Sequence, residues 1–209
     1  MKILIIGATR GIGLQILQQA LAKDHDTTVL ARSPQKITVE HERLQVMQGN
    51  ILDDHAVGSA SEGRDVVISC IGIMPTRKPV SVFSVGTKNV LAAMDKSKVK
   101  LLVSVTGIGA GDSRGHGGFF YDKIIQPFFL KTIYEDKDRQ ELLIKDSSVN
   151  WIIVRPGFLT DGPLRGSYRV LTDLRDAKAG KISRADVAHF ILNQLDSSEY
   201  IGQTPLLTY

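Results

Sequence analysis

The chemistry-bearing residues of this chain begin with the turn Gly7-Ala8-Thr9-Arg10-Gly11-Ile12-Gly13. The turn follows an apolar run that starts at residue 2 and opens a helix-period segment, the context in which a glycine-rich turn cradles a dinucleotide. Gly7 permits the tight turn, Gly11 lets backbone amides approach a pyrophosphate, and Gly13 allows close packing of helix on strand. Thr9, Arg10 and Ile12 share this turn, and the helix N-terminus adds unpaired N–H groups and a positive dipole end. The second apolar strand ends Leu30-Ala31-Arg32-Ser33, with Lys36 beyond, where recognition of an unmodified ribose would call for Asp or Glu. Arg32, Lys36 and Arg10 instead suit a 2′-phosphate, which Arg meets with paired charge-assisted hydrogen bonds. NADPH is therefore the expected cofactor.

Positioning these residues requires alternating strands and helices. Short runs rich in Val, Ile or Leu predict strands at Lys2 to Ile6, Thr27 to Ala31, Leu44 to Gln48, Asp65 to Ile71, Lys100 to Val105 and Asn150 to Val154, all read as buried and parallel. Helical patterns fall between them at Gly11 to Lys23, Asp53 to Ser59, Val80 to Lys96 and Tyr134 to Lys145. Ser183 and Asp186 form a helix-opening capping pair, followed by Val187, Ile191 and Leu195 along one core-facing stripe. The expected fold is α/β: a single-domain Rossmann-type doubly wound parallel sheet spanning 1–209, with right-handed crossovers. The glycine- and phenylalanine-rich stretch Gly107 to Lys131 breaks the rhythm and is expected to be an irregular substrate loop at the ligand-binding edge of the sheet.

Composition narrows the classes further. The 26 Lys and Arg are scattered among 22 Asp and Glu rather than gathered in a basic run, so nucleic acid is not an expected partner. No apolar stretch approaches the roughly 18 residues of a membrane span, and no membrane partner is expected. The lone cysteine, Cys70, cannot form an intrachain disulfide and is read as a small core residue; no Cys/His spacing suggests a metal. A cytoplasmic monomer or homodimer acting on a small-molecule acceptor fits these features.

Several further stretches carry a family resemblance: Gly49-Asn50-Ile51-Leu52-Asp53, Gly86-Thr87-Lys88-Asn89-Val90-Leu91-Ala92-Ala93, Val154-Arg155-Pro156-Gly157 and Ile182-Ser183-Arg184-Ala185-Asp186-Val187-Ala188. With the Gly7 to Gly13 turn, they resemble the atypical short-chain dehydrogenases/reductases of the NAD(P)-binding, NmrA-like group over nearly the whole chain. Asp161 to Tyr168 and Ser198 to Gly202 are similar to the corresponding stretches of the biliverdin-IXβ reductase/flavin reductases. The resemblance implies Asn50 and Ile51 beside the adenine, Ile71 and Gly72 near the ribose and phosphates, Thr106 beside the nicotinamide, Lys137 on its ribose, and Pro156 and Phe158 along the cofactor site.

Two departures bear on mechanism. Orthodox members of the superfamily use Tyr-x-x-x-Lys, but Ile133 stands four residues before Lys137 and Tyr134 is one position too close. Phe158 occupies the place where the biliverdin/flavin reductases carry a histidine after the arginine-proline motif. From the local sequence, Lys137 is either that ribose ligand or a surface lysine paired with Glu141 one helical turn on. The resulting expectation is an NADPH-dependent oxidoreductase that passes hydride to a planar conjugated acceptor (flavin, quinone or linear tetrapyrrole), with Thr106 and Lys137 at the reacting end and Phe119, Phe120 or Phe158 as apolar walls. The competing classes are a non-catalytic NmrA-like redox sensor and, less well supported by so short a chain, a sugar-nucleotide epimerase.

Overall fold

The computed structural model describes residues 1–175 and 177–209. Strand β1 (Lys2–Ile6) leads through the glycine turn into α1 (Gly11–Ala22) and back into β2 (Asp26–Ala31). Then follow β3 (Leu44–Gln48), α2 (Asp54–Ser61), β4 (Val66–Ser69), α3 (Val82–Ser97), β5 (Leu101–Val105), α4 (Lys131–Lys145) and β6 (Asn150–Pro156). The chain closes with β7 (Phe158–Thr160), β8 (Arg169–Leu171), β9 (Lys181–Ser183), α5 (Arg184–Asn193) and β10 (Leu206–Thr208). The main sheet runs β3-β2-β1-β4-β5-β6-β10-β8, with every pairing parallel except β10 with β8. Strand order reverses between β1 and β4, which opens a crevice at the strands' carboxyl ends.

Continuous apolar strands follow from burial on both faces. In β1, Ile3 and Ile5 pack with α1 and α5, while Leu4 and Ile6 enter a second core with residues of α2, α3 and α4. Helix ends are fixed by side chains from near and far. Asp53 accepts from the Ala56 N–H to cap α2, and Ser183 accepts from the Asp186 N–H to cap α5, as that capping pair predicts. The first turn of α3 is served at a distance, since Asp136 of α4 accepts from the Phe83 and Ser84 N–H groups.

The structure departs from the sequence reading in three places. β3 is not a buried strand: it forms one edge of the sheet, and three of its five residues are exposed. The tail holds four three-residue strands that none of the sequence patterns marks, two of which pair as a separate β7-β9 ribbon. Finally, the stretch 107–131 is irregular only in its first half. Tyr121–Leu130 winds as a π-helix and continues without a break into α4, which starts at Lys131 rather than Tyr134. Pro127 reads as a helix breaker because it lacks an N–H and crowds the preceding turn, but i→i+5 winding is one way a helix absorbs such a residue.

Candidate functional site

The crevice contains a cavity of about 480 Å³ that runs from the glycine turn to the start of the π-helix. That volume lies in the usual range for a small-molecule or cofactor site. At one end, the glycines are held by backbone contacts. A side chain on Gly7 (φ +97°) would meet the Cys70 carbonyl oxygen at 2.7 Å, and one on Gly13 would overlap the Gly7 carbonyl. Gly13 therefore packs α1 onto the turn and does not itself line the cavity, whereas Gly7, Thr9, Arg10, Gly11 and Ile12 do. α1 has no side-chain cap and no acidic residue in its first turn, so its leading N–H groups are left to face the cavity.

Arg10, Arg32 and Lys36 line the same region and are exposed. The ion pairs among the described residues involve none of the three. A fourth cation, Arg184, was not singled out from the sequence. Its Nε lies 3.7 Å from where a Gly11 side chain would begin, and its guanidinium holds Asp161 at 2.7 Å. The available signal was its place directly after the Ser183 cap, which aims the first residue of α5 back at the turn. The cradle, the uncapped helix and the convergent cations together fit a polyanionic dinucleotide.

Asn50, Ile51, Ile71 and Gly72 form the adjoining wall. The Asn50 carboxamide oxygen accepts from the Leu52 N–H at 3.2 Å, and Asn89 of α3 donates to the Ile51 carbonyl at 2.9 Å. Ile51 sits so close to α3 that a side chain at Gly86 would approach it to 2.7 Å. The Gly86 to Asn89 motif thus has a packing reason: it docks α3 against this wall.

At the far end lie Thr106, Lys137, Pro156, Phe158, Tyr121 and Tyr134. Lys137 is no surface lysine. It is buried, donates to the Thr106 carbonyl, and sits 5.2 Å from the centre of the Phe83 ring and 5.8 Å from that of Tyr134. Burial draws its pKa down from 10.5 to about 8, against the opposing pull of Glu141. Glu141 is instead clamped by Arg155, with Nε to Oε1 at 3.0 Å and Nη2 to Oε2 at 2.5 Å, and it accepts from the Thr106 hydroxyl at 2.8 Å. Arg155 is fully buried and also binds Asp112. Neither Arg155 nor Glu141 was recognised from the sequence as part of the site, because their role is to fix Thr106 and α4 rather than to face the cavity.

Tyr134 stands one helical turn before Lys137, and its hydroxyl is 2.8 Å from that of Tyr121, which donates to the Ile108 carbonyl. Burial, reinforced by the neighbouring Tyr121, raises the Tyr134 pKa well above 10, so this hydroxyl holds its proton tightly. Tyr121 packs edge-on against Phe158, with ring centres 5.3 Å apart. The apolar walls are therefore Phe158 and Tyr121; Phe119 and Phe120, expected in that role, are 80% and 64% exposed and lie outside the cavity. Cys70 lines the cavity with its thiol pushed up to about 12 by burial, which keeps it protonated and unreactive.

A model of the NAD(P)H-binding family matches residues 7–198. The chain belongs to that family. It is 25% identical over 202 residues to the Bacillus subtilis protein YhfK, described as an uncharacterized sugar epimerase, covering 94% of this chain and 88% of YhfK. Its fold matches that of ChuY, an anaerobillin reductase from Escherichia coli O157:H7, with a TM-score of 0.82 at 23% identity over 100% of this chain and 97% of the other. It also matches a wide-type short-chain dehydrogenase/reductase from Veillonella parvula in complex with NADP, with a TM-score of 0.83 at 16% identity over 100% and 94% of the two chains.

Proposed function

We propose that this NAD(P)H-binding protein is an NADPH-dependent reductase that delivers hydride to a planar conjugated acceptor of the flavin, quinone or linear tetrapyrrole type. The observation that carries the reading is one continuous cavity with cations unpaired among the described residues at the end that would hold the ribose phosphate and an aromatic-walled end at Phe158 and Tyr121. Bound NADPH supplies the hydride. The protein binds and orients: Arg10, Arg32 and Lys36 hold the 2′-phosphate, the α1 amides and Arg184 meet the pyrophosphate, and Lys137, fixed by Thr106, meets the second ribose. Tyr134 holds its proton tightly and is a weak acid, so the acceptor is taken to be one that can draw its proton from water. NADPH oxidation against a panel of flavins, quinones and biliverdins, run beside cofactor binding without acceptor, tests this. Turnover with at least one acceptor is expected; tight cofactor binding without turnover on any of them would overturn the reading.

The cofactor preference has its own test. NADPH is expected to bind more tightly than NADH, and Arg32→Ala to weaken NADPH about ten- to a hundredfold, the loss of one charged hydrogen-bonding partner worth about 1.5 to 3 kcal/mol. NADH affinity should hardly change. Titration of both cofactors into both proteins checks this, and equal affinities in the parent would contradict it.

Lys137 separates binding from stability. Its folded pKa of about 8 lies below the ordinary 10.5, so the ammonium costs stability below pH 8. That cost fades between pH 8 and 10.5, where the unfolded chain binds more protons than the folded one. Lys137→Met is therefore expected to weaken NADPH binding about tenfold, one charged contact's worth. At pH 7 it should melt no lower than the parent, even with the Thr106 carbonyl losing a donor worth about 1 kcal/mol. Melting curves of both proteins at pH 7 and pH 10.5 should show the variant losing its relative advantage at the higher pH.

A further inference from the structure

The face of the helical segment 119–130 turned away from the cavity is apolar and exposed. Phe119, Phe120, Ile124, Phe128 and Phe129 are exposed by 80, 64, 38, 63 and 51%. With i→i+5 bonding, residues four and five apart stack, so Ile124 bridges Phe119 and Phe120 on one side to Phe128 and Phe129 on the other. The inward side carries the buried Tyr121 and Gln126. Monomeric soluble proteins rarely expose so many large apolar groups side by side.

The charges around this face say what covers it. Lys123 lies within the exposed segment and Lys131 directly follows it. The Thr132 hydroxyl donates to the Thr76 carbonyl at 3.0 Å, which ties in the neighbouring loop with exposed Arg77, Lys78 and the 70% exposed Met74. The four cations outnumber the carboxylates Asp122 and Glu135, and Glu135 is itself paired with Lys131 at 3.9 Å. A twofold contact between two copies of this chain would set these cations against their own images. An anionic bilayer surface meets both halves of the pattern, taking the phenylalanines between its headgroups and the cations against its lipid phosphates.

We propose that residues 119–131, with the 74–78 loop beside them, form a docking surface for anionic membrane lipid, so that the protein lies on a bilayer without spanning it. This departs from the expectation of no membrane partner, which weighed only spanning segments. It stands independently of the reductase reading, since it uses residues outside the cavity.

The test is flotation of the full chain with vesicles of equal parts phosphatidylglycerol and phosphatidylcholine, beside vesicles of phosphatidylcholine alone. Binding to the anionic vesicles is expected, weaker by at least about fivefold for each cation reversed in Lys123→Glu and Lys131→Glu. Phe128→Ser combined with Phe129→Ser should lower it at least about tenfold. Lys123→Glu and the double serine variant should keep a melting temperature near the parental one and the parental NADPH affinity, measured in the same samples, because the altered side chains are largely exposed. No binding to anionic vesicles, or binding that the double serine variant leaves intact, would overturn the proposal. So would a parental dimer, seen by sedimentation, that the serine variant disperses, because the face would then be an interface between copies.

Discussion

Glu141→Ala is expected to destabilise the fold by about 3 kcal/mol, the low end of the cost of breaking a buried ion pair by removing one partner. Arg155 is fully buried, and Glu141 satisfies two of its donors. Without Glu141, the guanidinium keeps, among the described residues, Asp112 alone, which is 70% exposed, so the charge is partly rather than wholly orphaned. That remaining partner is why the lower figure applies. The Thr106 hydroxyl also loses its acceptor, so the segment that holds Lys137 loosens. Urea unfolding measures the loss, and Glu141→Gln, which keeps an acceptor for Thr106 but not the charge, should fall between the two. A loss under about 1 kcal/mol for the alanine variant would show that the pair is replaceable by water.

The second large effect is a contrast within the glycine turn. Gly11→Val is expected to fold and to lose cofactor affinity by more than about a hundredfold. Its side chain would project into the cavity where backbone must touch the pyrophosphate. The nearest atoms there belong to Arg184, the flexible end of a side chain at 3.7 Å. The positive φ of +64° adds strain of roughly 1 to 2 kcal/mol, which a domain of this size tolerates. Gly13→Val should fail differently, because its side chain would strike the Gly7 carbonyl and force α1 off β1. Circular dichroism with cofactor titration separates the two: the first variant folded and unable to bind, the second destabilised before binding can be asked about. Parental affinity in Gly11→Val would remove the turn from the phosphate site.

How much of this was legible in the sequence follows from how strong each signal was. Strands β1, β2, β4, β5 and β6 are apolar on both faces, and that pattern survives in any reading frame of the pleat, so they stood out. The four tail strands are three residues each, too short for periodicity, and their pairing is decided by distant partners such as Pro156 and Leu171. Of the sixteen residues expected to bind the cofactor, all but Gly13 line the cavity, because motif residues at strand ends converge in space by topology. Phe119 and Phe120 misled, since an aromatic pair beside a glycine run reads equally as pocket wall or as surface. Arg155, Glu141 and Arg184 were hidden for another reason: charge is common on helices, and only tertiary packing separates a buried clamp from a solvated one.

The two edges of the sheet have a consequence for the protein's behaviour at high concentration. An edge strand presents unpaired N–H and C=O groups on which another chain can add a strand. At one edge, β3 is five residues long and carries Gln45 and Gln48 among its apolar residues, and Arg64 holds the Gln45 side chain at 3.1 Å. At the other, β8 has three residues and begins at the exposed Arg169, which reaches back to the carbonyl of the terminal Tyr209. Short, cation-guarded rims are poor templates for a further strand, which favours a sheet that ends at these two edges.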